Sequence, residues 1–331
     1  MKYFLTGATG FIGAHVARQL AQAGHQLVAV VRSPEKAQDL ATLGAAIHQG
    51  DVTDKESMRP PMSGVDGVFH IAGWYKIGVR DKRAGAQINI EGTRNVLELM
   101  RELKIPNGVY TSTLAINSDT HGKLVDETYR YDGSHLSEYD RSKSVAHKLA
   151  EQFIASGLPL VVVMPGLVYG PGDTSSVRTT LIHYLQRKLP IIPKQTAFCW
   201  AHVDDIARGH ILAMEKGAPG ESYIIAGPAA TFEDALKLAE QITGVPVPRL
   251  RLAQGVLKAM SGLMSVVERV TPVPEDYSAE NLRINAGVTY IGDNAKARRE
   301  LGYSPRSLKA GLAETLYHEM RLLRMPVPPS A

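Results

Sequence analysis

Met1-Lys2-Tyr3-Phe4-Leu5-Thr6-Gly7-Ala8-Thr9-Gly10-Phe11-Ile12-Gly13 is the stretch whose reading decides the fold. Lys2 to Thr6 is apolar, β-prone and stopped by a glycine, which predicts a short buried strand. From Phe11 the apolar spacing turns helical and continues to Gly24. A strand that breaks on glycine and resumes as a helix aims its first free N–H groups at one point. Hydrogen bonds and the helix dipole both favour a phosphate there. Gly7 permits the turn, Gly10 lets a pyrophosphate approach the backbone, and Gly13 lets the helix lie close on the strand. Thr9, Phe11 and Ile12 complete the candidate loop. The spacing is G-x-x-G-x-x-G, so the dinucleotide fingerprint G-x-G-x-x-G is met in logic and not in letter.

Outward from this unit, strands and helices alternate. Strands are expected at Gln26 to Val31, Ala45 to Gly50, Val68 to Ala72, Val109 to Thr113 and Leu160 to Met164. Helices are expected from Ser33 to Leu43, after Asp51-Val52-Thr53-Asp54, over Ala84 to Lys104 and over Tyr139 to Ser156. Most of these strands lack polar alternation, as strands covered on both faces should. The pattern predicts a doubly wound, parallel, Rossmann-type α/β sheet over residues 1–165. Gly166 to Ser176 reads as a long loop, Asp204-Asp205 as the cap of a helix to Lys216, and Tyr223 to Ala226 as a further strand. Thr231 should cap Phe232 to Thr243; apolar Leu252 to Val270 and a last helix over Leu308 to Arg324 follow. Residues 166–331 are expected to form mainly a smaller, mostly helical substrate lobe, with parts of 200–227 returning to the sheet.

With 331 residues, 44% hydrophobic and 21% charged, the chain can bury a large core as a soluble globular protein. The formal charge of +4 is mild, and no Lys/Arg run carries interleaved aromatics, so nucleic acid is not an expected partner. No apolar run approaches the ~20 residues of a membrane span. Met1 leads straight into a strand, so no secretory leader is expected; with one cysteine, Cys199, this points to the cytoplasm.

Val31-Arg32 ends the second strand without an Asp or Glu, and Lys36 follows. An acid here would bind a ribose 2′-hydroxyl; cations would bind a 2′-phosphate, so NADP is expected over NAD. Asp51 and Val52 sit where an adenine amino group could be read, or where a helix is capped. Tyr139 and Lys143 stand four residues apart on one helix face, behind a strand that ends Thr111-Ser112-Thr113. A phenol as general acid, an ammonium to tune it and a hydroxyl to hold a carbonyl oxygen would suit hydride-transfer chemistry. His202, Asp204, Asp205 and His210 could suggest a metal, but the carboxylates fall where a cap is expected, so none is assigned. Met260 and Met264 read as core, or as the lining of an adaptable pocket.

These motifs resemble the extended short-chain dehydrogenases/reductases over nearly the whole chain, and most closely their dihydroflavonol 4-reductase-like branch. The carriers are Thr6 to Gly13, Gly50 to Asp54, Val68 to Ala72, Asn89 to Val96, Tyr139 with Lys143, Pro165 to Pro171, Phe198 to Ala207 and Asn294 to Gly302. The resemblance implies a catalytic Thr113, Tyr139 and Lys143, with Ser112 the fallback hydroxyl, and Lys143 also on the nicotinamide ribose. Ala72, Pro165, Gly166 and Val168 join the implied cofactor site. Val31-Arg32 and Pro165-Gly166 favour a reductase of ketones or aldehydes; Tyr169 to Asp173 is common in NAD-dependent nucleotide-sugar epimerases and dehydratases, the alternative. A non-catalytic dinucleotide sensor would usually lack the tyrosine or lysine present here. The substrate would be read by Trp74 to Arg83, Leu114 to Leu136 and the late lobe, and the helices from Ala84 and Tyr139 could pair in a homodimer.

Overall fold

The computed structural model describes residues 1–274 and 278–328, so three residues of the expected late lobe before Ser278 and the last three lie outside the described residues. Its main sheet is built from β1 (Lys2–Thr6), β2 (Gln26–Val31), β3 (Ala46–Gln49), β4 (Gly67–His70), β5 (Gly108–Thr111) and β6 (Leu160–Pro165). After β7 (Leu167–Tyr169), β8 (Ile191–Pro193) and β9 (Ala197–His202), β10 (Ser222–Ile225) returns to it. The order is β10-β6-β5-β4-β1-β2-β3, parallel throughout. Chain order reverses between β1 and β4, where Thr6 pairs with His70. A crevice opens at such a switch point.

Alternate strand residues feed opposite cores. Tyr3, Leu5, Ala29, Val161 and Val163 join one face, packed by α1 (Phe11–Gln22), α2 (Gln38–Thr42) and, later, α7 (Val203–Lys216). Phe4, Val28, Val30, Val162 and Met164 join the other, under α3 (Lys55–Met62), α4 (Thr93–Glu102) and α5 (Glu138–Ala155). Burying a side chain such as Phe4, fully enclosed, contributes roughly 1.5–3 kcal/mol, which is why these strands need no polar face.

The late chain adds α6 (Ser176–Leu185), α8 (Phe232–Thr243), α9 (Gln254–Val267), α10 (Ala279–Ile284), α11 (Ala295–Leu301) and α12 (Leu308–Leu322). Around them lie β11 (Ala229–Thr231), β12 (Leu250–Leu252) and β13 (Thr289–Tyr290). β9 gathers β11, β13 and β7 into a second sheet, and β12 pairs with β8.

Several expected elements need correction. The helix expected from Ser33 is a short 3-10 turn, Pro34–Lys36, and then the separate α2. Ala84 to Lys104 is helical, but Gly85–Gly92 winds in the wider π register before α4. Asp54, not Asp51, caps α3 by accepting from Ser57 N, while Asp51 closes its own turn on Thr53. The cap of α7 is His202, whose ring accepts from Asp204 N at 3.3 Å; Asp204 and Asp205 lie in the first turn. The expected loop Gly166 to Ser176 contains β7, hydrogen-bonded to β9. Thr231 caps α8 as expected, with Gly244 left-handed at its end.

Candidate active site

The tips of β1 and β4 converge around Gly7. Gly7 has φ +70°, and a Cβ on it would lie 2.6 Å from Ala72 N. A Cβ on Gly13 would fall on the Gly7 carbonyl, so α1 can lie this close to β1 only without a side chain there. Gly10 is exposed and begins α1, which has no side-chain cap and no acid in its first turn. Its leading N–H groups are therefore free for an anion. Thr9 is exposed, and Phe11 and Ile12 are half-buried in the first turn of α1. Phe11 sets its ring edge-on to His15, with centroids 5.8 Å apart.

Beside this cradle is a cleft lined by Thr9, Arg18, Lys36 and Asp39 among others. Arg32, at the tip of β2, and Lys36 are both exposed, and no ion pair engages either one among the described residues. Arg18 joins Lys36 in lining the cleft; its helical position alone did not mark it. On the far side of β2, Val52 is held by Asn95 through its carbonyl at 2.9 Å. Pro165 ends β6, Gly166 presses on the Cys199 carbonyl where a Cβ would not fit, and Val168 lies in β7.

Ser137 caps α5 by accepting from Asp140 N at 3.1 Å, which sets the first turn that carries Tyr139. The Thr113 hydroxyl lies near the Tyr139 phenol and favours its ionised form, while Thr113 Oγ1 accepts from Ala115 N at 3.1 Å. Burial pushes its pKa up to about 12, against the opposite pull of Thr113. Lys143 is buried one turn on and does not reach Tyr139: it donates to Thr111 O at 2.7 Å and to Tyr110 Oη at 3.2 Å. Burial pulls its ammonium down to about 7. Ser112, the alternative hydroxyl, is tied to His147 Nδ1 at 2.8 Å on the buried side. Asp140, beside Tyr139, is enclosed as well; burial lifts its carboxyl to about 7 although Tyr290 Oη donates to it at 3.1 Å.

Three buried polar residues behind Lys143 escaped the sequence reading. Thr6 Oγ1 accepts from Ile71 N and Ala72 N, so it donates to His70 Nδ1 at 2.8 Å. His70 then carries its proton on Nε2, which faces Thr93 Oγ1 at 3.0 Å. Burial and the Lys143 charge hold His70 down to about 3, so it stays neutral. Thr93 also lies near the Tyr110 hydroxyl, which receives Lys143. In sequence Thr6 and His70 end buried strands and Thr93 opens α4. Asn89, in the π stretch, bonds Trp74 at both its backbone groups and Ser142, fixing the start of the segment after β4. Glu280 of α10 accepts from Gly78 N, Lys82 Nζ and Glu138 N, joining that segment to the start of α5.

The candidate metal residues part company. His210 is fully buried between Thr111 Oγ1 and the Ile206 carbonyl. His202, Asp204 and Glu314 bring ligand-type atoms close together. The Arg306 guanidinium, 2.6 Å from Glu314 and 3.0 Å from Asp205, already supplies a cation there. No helix among the described residues is long and apolar enough to cross a membrane.

Residues 3–226 match the model of the NAD dependent epimerase/dehydratase family. A putative dihydroflavonol 4-reductase of Synechocystis sp. is 30% identical over 327 residues, 95% of this chain and 93% of that protein. The crystal structure of gox2253 superposes with a TM-score of 0.86 at 30% identity, over 98% of this chain and 99% of that one. The UDP-glucose 4-epimerase of Thermotoga maritima, solved with UDP-glucose, gives 0.77 at 25% identity, over 98% and 100%. The chain therefore belongs to the NAD-dependent epimerase/dehydratase family, within the extended short-chain dehydrogenases/reductases, and is a nicotinamide-dependent enzyme of that group.

Proposed function

We propose that this enzyme reduces a ketone or aldehyde carbonyl of a small molecule with NADPH. The observation that carries the reading is the nearness of the Thr113 hydroxyl to the Tyr139 phenol, with Ser112 committed to His147. The bound dinucleotide supplies the hydride. Gly7, Thr9, Gly10, Phe11, Ile12 and Gly13 fit its pyrophosphate, because the start of α1 is uncapped and free of side chains at the glycines. Asp51 and Val52 suit its adenine side, and Ala72, Pro165, Gly166 and Val168 its nicotinamide half.

Thr113 orients the carbonyl oxygen, and Tyr139 Oη gives that oxygen its proton as negative charge develops on it. Held at about 12, the phenol keeps this proton at neutral pH until a nearby positive charge makes it more acidic. Lys143 uses two donors inside the protein and keeps a third for the nicotinamide ribose. Arg32 and Lys36, unpaired beside the cleft and with no acid at the tip of β2, favour a 2′-phosphate.

A second reading, an NAD-dependent nucleotide-sugar epimerase or dehydratase, draws on Tyr169 to Asp173 and on the likeness to the UDP-glucose epimerase. The residues after Thr113 are Leu114-Ala115, not the Asp-Glu of dehydratases, and so favour the reductase. We also read the protein as cytoplasmic and as a homodimer through the helices that begin at Ala84 and Glu138; a monomer mass by light scattering would remove the dimer.

Site variants test the assignment. Tyr139→Phe should keep the fold and NADPH binding and lose turnover roughly 10²-fold or more. Thr113→Val should be far more damaging than Ser112→Ala. Full activity of Tyr139→Phe would overturn the mechanism, and the reverse ranking would move the hydroxyl role to Ser112.

A further inference from the structure

Lys143 is a buried lysine with no acid to balance its charge. It is 5% exposed, and its hydrogen bonds run to the Thr111 carbonyl and the Tyr110 hydroxyl. Among the described residues no carboxylate pairs with it, and Asp140, also buried on α5, is taken by Tyr290 of β13. An enclosed charge without a counter-ion is costly, so its neutral neighbours must hold it.

Tyr110 makes two contacts to that ammonium. Its hydroxyl accepts from Nζ at 3.2 Å, and its ring centroid lies 4.8 Å from the same nitrogen, within cation–π range. The ring is fully buried and stacks on His70, with centroids 5.6 Å apart and planes 23° from parallel. His70 is in turn held at both ring nitrogens, by Thr6 and Thr93. Three titratable side chains therefore face Lys143: Tyr110 on β5, His70 on β4 and Tyr139 one turn back on α5. Burial keeps all three neutral near pH 7, so none supplies a negative charge. On another side Nζ looks towards Gly73, where an added Cβ would stand 4.0 Å away; this exposed glycine leaves a way to the cleft.

We propose that Tyr110 is the positioning residue of Lys143: in place of a carboxylate, its hydroxyl and ring face together anchor the ammonium in the site. A carboxylate would cancel the charge that attracts an anionic dinucleotide, whereas a neutral phenol leaves it available. The hold belongs to the free protein and is independent of the reductase reading; its effect on dinucleotide binding rests on that reading.

The test follows the Lys143 side chain by NMR in the full chain without cofactor, using 13C- and 15N-labelled lysine and a pH titration. The Lys143 signal is identified by its loss in Lys143→Met. In the wild type it should titrate below the other lysines. Tyr110→Phe keeps the ring and removes the acceptor, which disfavours the charged form, so Lys143 should titrate about one unit lower with circular dichroism unchanged. NADPH affinity above pH 7 should fall with it, by up to about tenfold. In a Lys143→Met background the same Tyr110→Phe should change NADPH binding little, because the hydroxyl acts through the ammonium. A Lys143 titration unmoved by Tyr110→Phe, or a wild-type Lys143 that titrates with the exposed lysines, would overturn the proposal. So would an equal loss of affinity in the Lys143→Met background, since Tyr110 would then serve packing alone. A lowered titration with unchanged NADPH affinity would uphold the hold and remove Lys143 from the dinucleotide site.

Discussion

Lys143 is held by the Thr111 carbonyl and the Tyr110 hydroxyl, in surroundings that pull its ammonium down to about 7. An anionic dinucleotide favours the charged form, so binding should take up a proton wherever free Lys143 is neutral. NADPH affinity should then fall as pH rises above about 7, by up to about tenfold per unit, with proton uptake visible by calorimetry in two buffers. Lys143→Met should flatten that dependence; a wild-type affinity already flat from pH 7 to 9 would contradict the role. The stability sign is the opposite one. Because the unfolded lysine titrates near 10.5, the unfolded chain binds more protons between about 7 and 10.5, and this group adds stability as pH rises through that window. Arg32 allows a second test at this scale. A charge-assisted phosphate contact contributes about 1.5–3 kcal/mol, or roughly 10- to 100-fold. Arg32→Asp should cost NADPH at least that much and improve NADH use, measured by kcat/KM with each. Lys36 and Arg18 share the cleft, so Arg32→Ala should be milder.

The strand–turn–helix unit at the N-terminus assigns its three glycines different duties, and two substitutions separate them. Gly13→Val drives a branched side chain into the Gly7 carbonyl and should cost about 1–3 kcal/mol or more, read as a lowered Tm. Gly10 is exposed, and its added Cβ would stand 3.1 Å from Gly7 O, a tight but tolerable contact. Gly10→Val should therefore keep circular dichroism near wild type and lose NADPH binding in a fluorescence titration. Normal binding by that variant would place the phosphates elsewhere. Elements with local signals were legible in the sequence: glycine ends, the Thr231 cap and the continuous apolar strands each depend on near neighbours. Elements made by distant partners were not. β7 and β13 exist because β9 lies beside them, and α10 is set by contacts to α9, Glu138 and Leu136. The π register of Gly85–Gly92 and the ring of His202 as a helix cap likewise had no pattern to betray them.

Across the whole molecule, the order β10-β6-β5-β4-β1-β2-β3 brings the glycine turn, Ala72, Thr113 and Pro165 to the same edge of one sheet. That gathering was legible because alternating strands and helices leave a parallel sheet few arrangements. The links behind it were not: Thr6, His70 and Thr93 form a buried hydrogen-bonded series beside the glycine turn, and Tyr110, near Thr93, receives Lys143, four separate residues in sequence. The substrate-facing segment after β4 also depends on distant groups, Asn89 and Glu280, which is why its specificity could not be read from composition. The reductase account rests on net hydride transfer out of NADPH, whereas an epimerase returns its cofactor unchanged. The direct measurement follows absorbance of NADPH and NADH separately with purified protein across ketones, aldehydes and UDP-sugars. The account predicts stoichiometric NADPH oxidation with a ketone or aldehyde, at least about tenfold faster than NADH and lost in Tyr139→Phe. Protein that retains NAD through purification and interconverts UDP-sugars with no net change in absorbance would contradict it.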